Sequence, residues 1–159
     1  MRLRLIGPPQ LTLGDEKIHA LERKDAALLA FLALEGPTPR AKAAALLWPD
    51  VDADGARNNL RQRLHRLKKI AGGEVVTAGD TLALGSEVPH DLDATANRIA
   101  TEDQAADGEL LGQLDYSDCG ALADWVSHAR ERVRGGVEPR LMRSLRYWKA
   151  RGRSRVRCD

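Results

Sequence analysis

The chain has 159 residues, 43% of them hydrophobic and only 4% aromatic, so it can hold one ordinary domain or two small ones around a core of mostly Leu, Ala and Val. The net charge of +2 conceals an asymmetry: 0 over residues 1–38, +5 over 39–72, −11 over 73–129 and +8 over 130–159, which suits a basic nucleic-acid surface beside an acidic segment with another task. The longest apolar stretch, Ala26 to Leu34, has nine residues, far short of the ~20 that span a bilayer, so no membrane partner is expected.

The N-terminus opens with Arg2 and Arg4, but Pro8, Pro9 and Gln10 cut off the apolar run, and no signal peptide is visible. Residues 2–19 alternate polar with apolar in short pieces broken at Gly7-Pro8-Pro9 and Gly14-Asp15, which predicts a small antiparallel sheet. Glu22 to Glu35 reads as a central, buried helix, apolar through Ala26, Leu28, Leu29, Phe31 and Leu32 and ended by Gly36-Pro37. Thr38 as N-cap and Pro39 in the first turn then predict a second helix through Leu47 to Trp48, stopped by Pro49. Asp52 can cap a third helix and Gly72-Gly73 can end it. Glu74 to Thr77 and Thr81 to Leu84, flanking Ala78-Gly79-Asp80, predict a hairpin. A helix–turn–helix followed by a hairpin is the architecture of a winged helix, whose last helix enters the DNA major groove.

Beyond Gly85 the composition changes. Leu92, Ala96, Ile99 and Ala100 make one helical stripe, and Leu122, Trp125, Val126 and Val133 another. Gly108 to Tyr116 reads as a turn with apolar anchors. Arg140 to Trp148 can continue as a helix, and Arg151 to Arg155 reads as a basic, disordered tail. Cys119 and Cys158 stand in no CxxC or Cys/His spacing, which argues against a disulfide framework or zinc site and for a reducing, cytoplasmic setting.

The third helix carries the functional signal. At about 100° per residue, Ala56, Leu60, Leu64, Leu67 and Ala71 fall within roughly 40° of one line. Asn58, Gln62, His65 and Lys69 lie on the opposite side, flanked by Arg61 and Arg66, with no carboxylate beyond Asp54. Arg, Asn and Gln make paired hydrogen bonds to purine edges in the major groove. The candidate base-reading residues are therefore Asn58 and Gln62 for adenine, Arg61 for guanine, and His65. Arg57, Arg66 and Lys69, nearer the edges and the far end, are the candidate phosphate contacts. Arg63, about 60° from the core line by the same helical geometry, is expected along a neighbouring element. Trp48 and Trp125 are expected in the core. There is no Gly-rich phosphate loop, catalytic carboxylate pair or nucleophile elbow, and Asp91 with Asp93 is too loose a pair for a metal. Neither an enzymatic activity nor a cofactor is expected.

Glu22-Arg23-Lys24-Asp25-Ala26-Ala27-Leu28-Leu29-Ala30, Leu46-Leu47-Trp48, Ala56-Arg57-Asn58-Asn59-Leu60 and Arg66-Leu67-Lys68-Lys69 resemble the DNA-binding half of SARP-type bacterial transcriptional regulators. Gly108-Glu109-Leu110-Leu111 through Leu114-Asp115-Tyr116, Ala123-Asp124-Trp125-Val126 and Ala129 to Arg134 resemble the start of the bacterial transcriptional activator domain that follows it there. The resemblance covers about residues 1–147. It implies an OmpR-type winged helix over 1–88, an incomplete, all-α, tetratricopeptide-like activator segment over 89–150 and a tail over 151–159, together an α+β fold that is mainly α. It further implies an activator that binds promoter direct repeats as two side-by-side copies, a homodimer on DNA, and contacts RNA polymerase. Three departures stand out. The hairpin Glu74 to Leu84 has no Lys or Arg. Gly135-Gly136 and Pro139 interrupt a family helix, since an interior proline costs ~3 kcal/mol or more. The chain also stops where family members continue, so the activator half is expected to be a truncated and poorly packed piece. Two further readings remain open: a helical protein-interaction module with secondary DNA binding, and a nucleic-acid binder without sequence preference.

Overall fold

A computed structural model describes residues 1–92 and 108–134. They form a mixed α+β fold, mostly helical, with two small antiparallel sheets and four helices among the described residues. Strands β1 (Arg2–Arg4), β2 (Gln10–Thr12) and β3 (Ile18–Ala20) pair in sequence order, with Leu3 opposite Leu11 and Leu11 opposite His19. Strand alternation turns the fully buried Leu3 and Leu11 to the core. Helix α1 (Arg23–Glu35) buries every residue from Asp25 to Ala33. It is therefore the element around which the others pack, and it ends at Gly36, whose φ of 85° lies in the region that favours glycine.

The next turn corrects the sequence reading. Thr38 is no N-cap; Thr38–Pro39 form a short strand, β4, with Thr38 opposite Leu82 and Pro39 opposite Thr81. The Thr38 hydroxyl donates to the Gly36 carbonyl instead. Proline is tolerated there because β4 is an edge strand and loses no ladder donor. Helix α2 (Arg40–Leu47) begins only at Arg40, and it buries Ala43, Ala44 and Leu47.

Helix α3 (Ala53–Ala71) starts under the Asp52 carboxylate, which accepts from the Gly55 N–H at 3.3 Å, and stops at Gly72 in the left-handed region, φ 66°. Ala56, Leu60 and Leu67 are buried, with Leu64 and Ala71 partly buried beside them. Strands β5 (Val76–Ala78) and β6 (Thr81–Leu84) form the hairpin, and β6 lies between β4 and β5.

Residues 108–134 pack onto α1. Helix α4 (Gly120–Arg134) sends Leu122, Val126 and Ala129 into the hydrophobic cluster that contains Leu28, Leu29 and Leu32. Trp125 stacks obliquely on Phe31, ring centroids 5.0 Å apart, and its indole N–H donates to Glu35. Residues 108–134 are thus well packed, where a poorly packed segment was expected. Leu3 to Gly7 run between two later segments. The Leu3 N–H donates to the Pro89 carbonyl, both Leu5 and Ile6 N–H groups donate to the Asp91 carboxylate, and the Gly7 N–H donates to Glu109. Glycine is required at 112, because a Cβ there would lie 2.9 Å from the Gly7 carbonyl oxygen. The predicted stripe Ala96, Ile99 and Ala100, the break at Gly135-Gly136 and Pro139, and the tail 151–159 lie outside the described residues.

Candidate nucleic-acid interface

The face of α3 opposite its buried stripe is solvent-exposed at Arg57, Asn58, Arg61, Gln62, His65, Arg66 and Lys69. Asn58, Arg61, Gln62 and His65 follow one another along this face at helical spacing, so the four candidate base readers form one continuous row. Arg61 donates from Nη2 to the Asn58 Oδ1 at 2.8 Å, which fixes the two side chains side by side and leaves the remaining guanidinium N–H groups available. Gln62, His65 and Lys69 make no hydrogen bond or ion pair with any described residue.

The three candidate phosphate contacts differ. Arg57 lies 3.1 Å from Asp54 one turn back, in an exposed pair. Lys69 stands at the C-terminal end, where a cation is also favoured by the helix dipole. Arg66 and Arg63 both reach Glu22, just ahead of α1, and Arg63 lies 3.6 Å from Asp25. Their hydrogen bonds hold the Glu22 carboxyl below its usual range. The Arg66 pair is about half exposed, and such pairs are worth about 0–1 kcal/mol, so Arg66 can exchange Glu22 for a phosphate at little cost. Asp25 is different: it is 2% exposed, and burial, against the opposing pull of Arg63, pushes its carboxyl up.

Arg40 was missed by the sequence reading. The β4–β6 pairing and the bond from the Arg40 N–H to the Asp80 carbonyl carry α2's first residue to the tip of the hairpin. There it joins Arg61, His65 and Lys68 around a crevice of ≈ 260 Å³ between α3 and β5. No local pattern signals this, because it depends on pairing between positions 39 and 81. Lys68 meets Glu74 at 3.2 Å at the hairpin's base. Among the described residues no group of His, Cys, Asp or Glu is placed to hold a metal ion, and no helix is long and apolar enough to cross a membrane. Comparison with protein-family models, with curated proteins and with solved structures finds no match to this chain.

Proposed function

We propose that this protein is a sequence-specific, double-stranded-DNA-binding transcriptional regulator, an activator of the SARP type, that lays α3 in the major groove. The observation that carries the reading is the division of α3: one side buried against α2 and β5, the other an exposed row of Asn58, Arg61, Gln62 and His65 bounded by Arg57, Arg66 and Lys69. A helix of this kind, preceded by a tight turn from α2 and followed by a hairpin braced by β4, is built for groove reading. In this reading Asn58 and Gln62 pair with adenine edges and Arg61 with guanine, while Arg57, Arg66 and Lys69 neutralise phosphates. The hairpin, which carries Glu74 and Asp80 but no Lys or Arg, adds few contacts, so α3 supplies most of the affinity. Two copies on promoter direct repeats, contact with RNA polymerase and a cytoplasmic location complete the proposal.

In vitro selection of bound DNA from a random pool tests it. Enrichment of a common site, repeated in direct orientation, is the expected result. An unenriched pool with steeply salt-dependent binding would replace it with a binder lacking sequence preference. Absence of binding at low salt would leave the partner to be a protein.

A further inference from the structure

The flank of α3 meets a carboxylate that belongs to another element. Glu22, the residue just ahead of α1, reaches across and takes both Arg63 and Arg66, one on each carboxylate oxygen. Arg66 follows Gln62 by one helical turn, so this carboxylate stands against the edge of the row Asn58, Arg61, Gln62 and His65. Glu22 makes no capping hydrogen bond to α1, and the two arginines are what hold its half-exposed side chain.

The two arginines are not equivalent. The Arg63 side chain is 29% exposed and has a second carboxylate in the buried Asp25, 3.6 Å away. Arg66 is 49% exposed and pairs, among the described residues, with Glu22 alone. Arg63 therefore keeps Glu22 in place when Arg66 turns away. What Arg66 gives up is an exposed pair, worth at most a few-fold in an equilibrium. What it takes up on DNA is a phosphate, which a guanidinium grips with the same fork of N–H donors that it offers a carboxylate. Carboxylate and phosphate thus compete for one set of donors.

We propose that Glu22 is a built-in competitor of DNA: it holds Arg66 in the free protein, a strand phosphate displaces it, and this exchange lowers the affinity of α3 for every duplex. The proposal rests on the DNA reading of α3 and adds to it a residue outside that helix that weakens binding without touching a base. Its sign is opposite to that of a positioning role, in which Glu22 would aim Arg66 at the strand and its loss would weaken binding.

The test is a fluorescence-anisotropy titration of the full chain with a short random-sequence duplex at fixed low salt, where exposed charges are least screened. Glu22→Gln keeps the shape of the side chain and removes its charge, and should bind about threefold more tightly than the wild type, within the range that a half-exposed ion pair supplies. Glu74→Gln, which removes a carboxylate paired with Lys68 outside the proposed contacts, reads the effect of losing any nearby negative charge and should gain less. In an Arg66→Gln background, Glu22→Gln should gain no more than Glu74→Gln does, because the two residues act as a coupled pair. Thermal melting establishes that each variant is folded before binding is read. Unchanged or weaker binding by Glu22→Gln, a gain matched by Glu74→Gln, or a gain that survives Arg66→Gln would each overturn the proposal. Duplex binding with these effects but without preference among sequences would fail the proposed function and leave the competitor standing, whereas absence of duplex binding would fail both.

Discussion

Helices α3 and α4 are both amphipathic and both rich in arginine, yet they use it in opposite ways. On α4, Arg130 donates to the carbonyls of Leu110, Gly112 and Leu114, Arg132 pairs with Glu35 at 2.6 Å, and Arg134 pairs with Glu109 at 2.6 Å. These cations fasten the 108–114 loop and α1 to the helix. On α3, the row of Asn58, Arg61, Gln62 and His65 is turned to solvent, and only its flank, Arg63 and Arg66, is tied to α1 through Glu22. The difference shows that a basic helix is informative only once its counter-charges are located: α4 is a structural clamp, whereas α3 has cations and amides left over for a partner.

The sharpest way to break this contrast is on the exposed row. Arg61→Ala combined with Gln62→Ala should remove about 2–6 kcal/mol of discrimination between a selected site and random DNA, two paired contacts at about 1–3 kcal/mol each, and leave the melting transition unchanged. A gel-shift titration at fixed salt that finds discrimination intact would refute the assignment of α3. Next comes the clamp: Arg130→Ala leaves three partly buried carbonyls without their donor and should cost about 2–3 kcal/mol in urea denaturation with no specific effect on DNA. A loss below about 0.5 kcal/mol, the range of an ordinary surface change, would mean that the arginines of α4 are as loosely held as those of α3.

Two smaller effects refine the comparison. Asp25 has its folded pKa raised above the ordinary 3.8 by burial, so the folded state keeps the proton longer and stability falls as pH rises from 3.8 through that raised value. Asp25→Asn should abolish this fall. The contribution of Glu22, lowered by Arg63 and Arg66, runs the other way and should remain in the variant, lost only as pH drops below its ordinary 4.5. Denaturation series across acid pH separate the two, and an unchanged profile in Asp25→Asn would remove Asp25 from the account. Lys69→Ala should weaken binding about equally on every DNA sequence and reduce the slope of log affinity against log salt by about one. A sequence-dependent loss would move Lys69 from phosphate to base.

What could be read beforehand was whatever is local. The limits of α3 follow from Asp52 and Gly72, the burial of α1 from its unbroken apolar run, and the hairpin from Ala78-Gly79-Asp80, since each is written within a few residues. Pairings over long separations were not legible. Thr38-Pro39 carries good helix-start chemistry, and only the strand Thr81–Leu84 claims it for a sheet. Arg66 looks identical to Arg61 along the helix until Glu22, more than forty positions earlier, is brought beside it. Arg40 enters the crevice by the same long-range pairing. The exposed amides and cations of the candidate site were therefore visible as a pattern, while their counter-charges and the Arg40 contribution needed the fold.

The position of Leu3 to Gly7 between residues 89–91 and 109–111 sets an order for assembly. The turn from α2 to α3 and the hairpin that follows close over short stretches of chain, and such contacts form quickly. The bonds from Leu5 and Ile6 to Asp91 span 86 and 85 residues and are expected to follow those local pieces. α3 and its hairpin are thus expected to form early, and the threading of the N-terminal strand to be the late step that locks α1 in place.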